Sequence, residues 1–390
     1  MDPTTTAIGT WSGGRYMRFG EPLNDARLQD LLRPGDGIQT VITADVYGAG
    51  EADSLLGRAL RGVDRDSYCL VGAIGHDFYA GQREGAKGYP RFTDPSLRAE
   101  SQYAGYIKMA TERSLRRCGA EQFDLLLLHN PDRIGYTSQA VWHDGMAAVR
   151  AAGLTRMLGI APGPANGFTL DLIGCLERYG ELIDWAMIIL NPLEPWPGEL
   201  VLSAALASDV WLIARVVDYG GLFHDDVLPG HTFAEHDHRM FRPDGWIEAG
   251  RGKLEPMRQI AYRHGMTMLQ LACAWDLAQT PVRCVAPTLI QEIGTPPPTP
   301  DGMPIPRSIE DKRAELAAVG TVVAHSPLSP EEVREIRAIG ENTGCMALKG
   351  ANPAHEGPAR ADRWGLDGEL EDLAERWNID PARDLRHAAV

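Results

Sequence analysis

The chain has 390 residues, a formal net charge of −15 and 44% hydrophobic residues, which is ordinary for a folded globular protein. The acidic balance argues against a nucleic-acid-binding surface, because such surfaces carry clustered lysine and arginine. No run of about 18 consecutive apolar residues occurs, so no membrane span is expected. The length fits two conventional domains or one large α/β barrel with additions.

The N-terminus and the cysteines both favour a cytoplasmic protein. The sequence MDPTTTAIGTWSGG has neither the basic region nor the apolar stretch of a secretory signal. No Cys-x-x-Cys pair is present, and the six cysteines are widely separated, at positions 69, 118, 175, 273, 284 and 345. In a chain of this length they are interpreted as reduced thiols and not as a disulfide framework.

Short apolar segments alternate with longer helical patterns. The predicted strands, in chain order, are residues 6–10, 38–42, 68–73, 123–129, 156–161, 185–190, 210–215 and 283–286. The predicted helices are residues 25–32, 52–60, 97–117, 137–150, 170–179, 200–207 and 253–263. Strands that are apolar throughout are typical of a parallel sheet covered on both faces. Eight such units predict a single α/β domain, a (β/α)8 TIM barrel, with a doubly wound sheet as the alternative.

Two segments fall outside the simple barrel pattern. Residues 293–306 are rich in proline and predict a loop insertion, because proline cannot continue a helix. We expect the barrel to occupy residues 1–345 and a C-terminal extension to occupy residues 346–390, with an amphipathic stretch at 366–377. The extension is expected to lie on the barrel or on a partner subunit, which leaves a homo-oligomer open.

Candidate catalytic groups are sought at the carboxyl ends of the strands, where barrel enzymes place their active sites. Tyr47 follows one predicted strand, and His129 ends another that is otherwise apolar. A tyrosine and a histidine facing one pocket can act as an acid–base pair. The alternative is a hydrogen-bonded structural tyrosine and a satisfied core histidine. The residues expected to bind substrate at the same end are Trp11, Asp45, Asn130, Asn191, Arg215 and Asp218.

Residues 224–238 are rich in histidine and aspartate, which are residue types that bind zinc or manganese. Their spacing matches no defined ligand motif. We therefore expect no metal site.

A family resemblance appears in several motifs. The segments ITADVYGAGEADSLLGRAL at residues 42–60 and LLLLHNPD at 125–132 resemble the two signatures of the aldo-keto reductase superfamily. Further motifs continue in the order of that family: GTWSGG at 9–14, RMLGIAPG at 156–163, IDWAMIILNPL at 183–193, WLIARVVDYGGLF at 211–223 and DHR at 237–239. The resemblance covers about residues 7–345, which is the whole predicted barrel.

The resemblance implies NADP(H)-dependent reduction of an aldehyde or ketone by an Asp-Tyr-Lys-His tetrad in which the tyrosine delivers the proton. It places Tyr47 on the catalytic tyrosine and His129 on the catalytic histidine. The aspartate and lysine positions fall on Ile42 and Ala73, so we expect a degenerate tetrad. Without those neighbours a phenol, whose ordinary pKa is about 10, is a poorer acid or base near neutrality.

The implied cofactor positions diverge as well. The residues matching the pair that holds the nicotinamide carboxamide are Ala161 and Pro162, which have no polar side chain. Asp218 falls on the segment that approaches the pyrophosphate, where its negative charge is expected to repel an anion. If NADP(H) binds, the resemblance assigns its contacts to Gly221, Leu222 and Arg307.

These features favour an enzyme that uses Tyr47 and His129 for non-redox acid–base chemistry, with no cofactor. Elimination, isomerisation or hydration of a small carbonyl or polyhydroxylated molecule would fit. The first alternative is an NADP(H)-dependent carbonyl oxidoreductase, and the second is a non-catalytic binding barrel. The expected partner is a small molecule, with no nucleic acid and no membrane.

Overall fold

The protein is described by a computed structural model that covers residues 1–85, 88–163, 168–293, 307–343 and 349–385. Eight parallel strands follow one another in chain order in a single sheet. They are β1 (Ala7–Gly9), β2 (Thr40–Ile42), β3 (Cys69–Ile74), β4 (Phe123–His129), β5 (Thr155–Ala161), β6 (Trp185–Ile189), β7 (Trp211–Arg215) and β8 (Val282–Ala286). A parallel bridge from Thr6 to Val285 joins the last strand to the first. The predicted (β/α)8 barrel is therefore confirmed.

Helices cover the outside of the sheet. Within the described residues they are α1 (Asp25–Leu32), α2 (Glu51–Ala59), α3 (Tyr103–Cys118), α4 (Arg133–Thr137), α5 (Gln139–Val141), α6 (Ala147–Ala151), α7 (Thr169–Tyr179), α8 (Leu202–Ala207), α9 (Trp246–Arg263), α10 (Met268–Leu277), α11 (Ile309–His325), α12 (Pro330–Gly340), α13 (Gly368–Arg376) and α14 (Pro381–Asp384). None of these described helices is long and apolar enough to cross a membrane.

Some helix boundaries differ from the sequence prediction. Helix α3 begins at Tyr103 and not at residue 97, because the short 3₁₀ turn Glu100–Gln102 precedes it. The predicted helix 137–150 is interrupted by a π-helical turn at Trp142–Met146. Helix α10 was not predicted, because every residue from Met268 to Asp276 is buried and a helix buried on all sides shows no amphipathic period.

The interior of the barrel is filled by apolar side chains, most of them small or medium in size. The cluster comprises Ala7, Ile42, Ala44, Cys69, Val71, Ala73, Leu125, Leu127, Ala161, Trp185, Met187, Ile213, Cys284 and Ala286. Trp11, Val46 and Tyr47 pack against it and follow the carboxyl ends of β1 and β2. The mouth of the barrel therefore has an apolar floor.

Part of the C-terminal extension is described and packs on the barrel. Strands β9 (Gly350–Ala351) and β10 (Arg363–Trp364) pair with each other, and both α13 and β9 contact α7. The buried Asp171 of α7 accepts hydrogen bonds from Trp364 Nε1 at 2.9 Å and from the Ala351 amide at 3.2 Å. One carboxylate therefore ties two separate parts of the extension to the barrel.

Several predicted features lie outside the described residues. The proline-rich insertion is described only at residue 293, and the boundary expected at 345–346 falls within the undescribed segment 344–348. Cys345 lies in the same segment. The remaining five cysteines are buried free thiols.

The Asp171 contacts predict how the extension is held. Asp171→Ala is expected to lower the free energy of unfolding by about 2–3 kcal/mol, because the Trp364 and Ala351 donors stay buried without an acceptor. Trypsin should then cut the extension faster than in the unchanged protein. Glu369→Ala is the control, since Glu369 is exposed and pairs with Arg178 at the surface, where an ion pair contributes about 0–1 kcal/mol. Equal effects of the two substitutions would contradict this account of the anchoring.

Candidate active site

Tyr47 and His129 meet at the mouth of the barrel. Their ring centroids are 5.8 Å apart and the ring planes are nearly perpendicular, at 86°. Tyr47 opens a tight turn in which Gly48 and Gly50 have φ angles of +59° and +96°, a backbone conformation that glycine adopts without strain. His129 is the last residue of β4. The sequence therefore placed both residues at strand ends, and the fold brings their side chains together.

His76 is a third member of this group that the sequence analysis did not select. Its ring centroid lies 5.5 Å from that of His129. Its Nδ1 is 2.9 Å from the Tyr89 carbonyl oxygen and its Nε2 is 3.0 Å from Asn130 Nδ2. A side chain on Gly75 would collide with the His129 carbonyl, 2.0 Å away, so this glycine allows β3 and β4 to end side by side. The sequence signal that could have identified His76 is its position just after the predicted strand at residues 68–73.

The electrostatics of the pair are set by burial and by Arg215. Burial raises the pKa of Tyr47, and the positive charge of Arg215 opposes that rise. Burial, then the charges of Arg215 and Arg91, lower the pKa of His129 to about 3. Near neutral pH the site therefore holds a protonated phenol and an uncharged imidazole. His129 Nδ1 is buried and has no hydrogen-bond partner within the described structure.

Ile42 and Ala73, which the family resemblance assigns to the tetrad's aspartate and lysine positions, are both buried in the apolar cluster beneath Tyr47. A phenol above such a floor loses solvation of its charged form, which explains the direction of its pKa shift. Arg215, at the end of β7, supplies the positive charge.

Two of the predicted substrate-binding residues have other surroundings. Asp45 is fully buried, and neither of its carboxyl oxygens has a partner in the described chain. Burial, and then the charge of Asp53, raise its pKa well above the usual range, which favours an uncharged carboxyl group. Asn191 is also buried; its Nδ2 donates to the Val216 carbonyl at 3.0 Å and its Oδ1 accepts from the Leu193 amide at 3.0 Å. It fastens the end of β6 to the end of β7.

Asp218 likewise faces protein backbone. Its Oδ1 accepts a hydrogen bond from the Thr288 amide at 2.7 Å, and its Oδ2 accepts one from the Gly221 amide at 2.9 Å. Only 1% of its surface is exposed. The carboxylate therefore joins the loops after β7 and β8 from the inside.

The remaining residues assigned to a cofactor are also engaged within the chain. Leu222 is fully buried in the outer core. Arg307 Nη1 donates to the His224 carbonyl at 3.0 Å, while Nη2 pairs with Glu315. Beneath them, Lys312 is fully buried against Asp226, with 2.5 Å between Nζ and Oδ2. Among the described residues, no group of three or more His, Cys, Asp or Glu side chains is arranged to hold a metal ion.

Comparison with known proteins assigns the family. The model of the Aldo/keto reductase family matches residues 7–341, which spans the barrel. This chain belongs to the aldo/keto reductase family.

Two curated proteins illustrate how distant the relationships within the family are. A probable voltage-gated potassium channel subunit beta of Arabidopsis thaliana is 22% identical over 285 residues, covering 69% of this chain and 79% of that protein. A 6-dehydroglucose reductase of Agrobacterium fabrum is 29% identical over 163 residues, covering 41% of this chain and 50% of that protein. The second alignment therefore spans half of the relative.

Solved structures of aldo-keto reductases share the fold. The glycerol dehydrogenase of Gluconobacter oxydans superimposes with a TM-score of 0.59 at 21% identity, covering 86% of this chain and 90% of that one. An aldo-keto reductase of Klebsiella pneumoniae in complex with NADP and acetate gives a TM-score of 0.53 at 19% identity, covering 88% and 96%. At such identities the likeness concerns the fold alone.

The described residues do not fit NADP(H) in the arrangement that the family resemblance implies. A pyrophosphate is held by free backbone N–H groups and positive charge, yet the Gly221 and Thr288 amides already bind the Asp218 carboxylate. At the position of the nicotinamide carboxamide, Pro162 offers a backbone carbonyl that accepts from Arg215. No step of the chemistry below is therefore assigned to a dinucleotide.

The burial of His224, next to this region, predicts that the free energy of unfolding depends on pH. It is fully buried, its Nε2 lies 2.8 Å from the Thr288 carbonyl, and burial followed by the charge of Lys312 lowers its pKa to about 3. The unfolded chain takes up this proton at a pKa of about 6.5, so the stability that the neutral folded form provides is present above that pH. It is lost progressively as the pH falls from 6.5 towards 3.

His224→Gln keeps a donor for Thr288 but cannot titrate. Between pH 7 and pH 5 the unchanged protein is expected to lose about 2 kcal/mol of unfolding free energy more than this variant, measured by urea denaturation. His236→Gln, which replaces a histidine whose side chain is 66% exposed, is expected to follow the unchanged protein. Parallel pH profiles for His224→Gln and the unchanged protein would contradict the assignment.

Proposed function

We propose that this chain is an enzyme that uses Tyr47 to transfer a proton at the oxygen of a small carbonyl-bearing or polyhydroxylated substrate. The observation that carries the proposal is the contact between Tyr47 and His129 at the barrel mouth, within reach of the Arg215 charge. Barrel enzymes place catalytic groups on the ends of several different strands, and these three residues come from β2, β4 and β7 in that way.

The chemistry of the three side chains follows from their protonation states. The Tyr47 hydroxyl is protonated near neutral pH and can donate to a substrate oxygen as negative charge develops on it. The uncharged His129 imidazole offers a hydrogen bond to the same oxygen. The Arg215 guanidinium then stabilises the phenolate that remains on Tyr47, because an opposite charge favours the ionised form.

Carbonyl oxidoreduction is the reaction class that we put first. It is favoured by membership of the aldo/keto reductase family and by neighbours whose names describe dehydrogenase and reductase activities. This class would need NADP(H) as hydride donor or acceptor, while the residues named above would handle the proton. Because the implied binding arrangement does not fit, a dinucleotide would have to approach the barrel mouth differently.

Non-redox acid–base chemistry is the second candidate. It is favoured by Asp218, whose carboxylate accepts hydrogen bonds from the Thr288 and Gly221 amides. It is also favoured by the apolar side chains of Ile42 and Ala73 beneath Tyr47. Elimination, isomerisation or hydration needs the Tyr47 proton and no hydride.

One experiment separates the two classes and tests the shared step. Purified protein is titrated with NADPH while nucleotide fluorescence is followed, and is then supplied with aldehydes, ketones and sugars as carbonyl or hydroxyl substrates. Saturable binding with loss of 340 nm absorbance would support oxidoreduction. Conversion of a carbonyl or polyhydroxylated compound without NADPH, followed by proton NMR, would support the non-redox class.

In either class Tyr47→Phe is expected to lower kcat about 10²–10⁴-fold, which is the usual contribution of a positioned general acid. Tyr262→Phe is the matched control, because Tyr262 is 85% exposed on the outer helix α9. It is expected to leave kcat unchanged. Full activity of Tyr47→Phe would contradict the role proposed for Tyr47. No conversion of any tested compound by the folded protein would contradict the proposal as well, and would favour a binding barrel.

A further inference from the structure

Among the described residues, the Arg215 guanidinium has backbone partners only. Its Nη2 donates to the carbonyl oxygens of Pro162 at 3.0 Å and Gly163 at 2.6 Å. Its Nε is buried without a partner, and no carboxylate of the described chain lies within the 4 Å of an ion pair. Glu194 is close enough for its charge to affect Arg215, but it pairs with Arg242 at 3.7 Å.

Arg91 also lacks a carboxylate partner within the described residues. It belongs to the segment between β3 and α3, and it is only partly exposed. Its Nε donates to the Asn130 carbonyl, and its Nη1 lies 3.3 Å from His76 Nδ1. The charges of Asp132 and Asp362 raise the pKa of Arg91 against the effect of burial. Within the described residues, however, neither aspartate forms an ion pair with Arg91. Asp132 Oδ1 instead accepts from the Gly135 amide at 2.9 Å.

The two guanidinium groups are held at the ends of neighbouring strands. Arg91 donates to the carbonyl of Asn130, which follows β4, and Arg215 donates to those of Pro162 and Gly163, which follow β5. Strands β4 and β5 pair with His129 opposite Ala161.

Both guanidinium groups are close enough to His129 to oppose its protonation, and both act on the hydroxyl group of Tyr136. That hydroxyl is buried and, like His129 Nδ1, has no hydrogen-bond partner in the described structure. Two largely desolvated cations that form no ion pair within the described residues are costly, and a bound anion would remove much of that cost.

We propose that the substrate carries a carboxylate or phosphate group, which binds between Arg215 and Arg91 beside Tyr47 and His129. The planar guanidinium presents paired N–H donors that match the oxygens of either group. This inference rests on the proposed function only in placing the reacting carbon next to Tyr47.

Binding without turnover tests this site. Isothermal titration at fixed ionic strength compares pyruvate, inorganic phosphate and uncharged hydroxyacetone. Pyruvate or phosphate is expected to bind saturably and to raise the melting temperature, whereas hydroxyacetone at the same concentration is not. Whichever of the two anions binds more tightly shows whether the substrate group is a carboxylate or a phosphate.

Substitutions locate the binding. Arg215→Met and Arg91→Met are each expected to lower the affinity for the anion about tenfold or more, because each removes a charge-assisted hydrogen bond. Arg215→Lys keeps the charge but lacks the planar guanidinium group. We expect this variant to melt cooperatively, as a folded protein does, and to bind the anion with intermediate affinity. Arg313→Met is the control, because Arg313 also donates to two backbone carbonyls, those of Leu31 at 3.1 Å and Arg33 at 2.7 Å, but on the outer helix α11. It should bind the anion unchanged.

The inference is overturned if neither anion binds the unchanged protein, or if Arg313→Met loses as much affinity as Arg215→Met and Arg91→Met. These outcomes are independent of catalysis. Anion binding that depends on the two arginines, in a protein that converts no substrate, would support this site while contradicting the proposed function. Turnover that depends on Tyr47, in a protein that binds no anion, would support the proposed function and contradict the anion site.

Discussion

At the carboxyl end of β7, the Arg215 guanidinium is held by two backbone carbonyls and acts on the Tyr47 phenol. The floor under Tyr47 is apolar, because Ile42 and Ala73 fill it. Burial alone would keep the phenol neutral well above the physiological range, and the positive charge of Arg215 limits that rise in pKa by stabilising the ionised form. The acid role assigned to Tyr47 and the anion-binding role assigned to the mouth both depend on this one charge.

The loops that follow β7 and β8 are organised by a buried carboxylate. Asp218 binds the Gly221 and Thr288 amides and so joins the segments that follow β7 and β8. In the family resemblance that backbone approaches a pyrophosphate, whereas here a buried carboxylate satisfies its N–H groups. The chain thus has the aldo/keto reductase barrel, with Tyr47 and His129 in contact at its mouth, and uses this loop region for its own internal contacts.

The sequence predicted the barrel well, because eight apolar strands separated by helices leave few other folds. It missed α10, whose residues are buried on every side and show no helical period. It also placed Tyr47 and His129 at strand ends, where the fold brings them into contact. Arg91 was beyond its reach, since that residue lies in an irregular segment and approaches His76 only in three dimensions. The same holds for the inward direction of the Asp218 carboxylate, which no local pattern specifies.

The most direct test of the account is the pKa of Tyr47 itself, measured by NMR of protein labelled with ¹³Cζ-tyrosine and assigned by the Tyr47→Phe spectrum. The measurement is made in the unchanged protein and in Arg215→Met. Because the Arg215 charge lowers this pKa against the effect of burial, the account predicts that its removal moves the Tyr47 titration to higher pH. A Tyr47 pKa that stays the same or falls in Arg215→Met would contradict it.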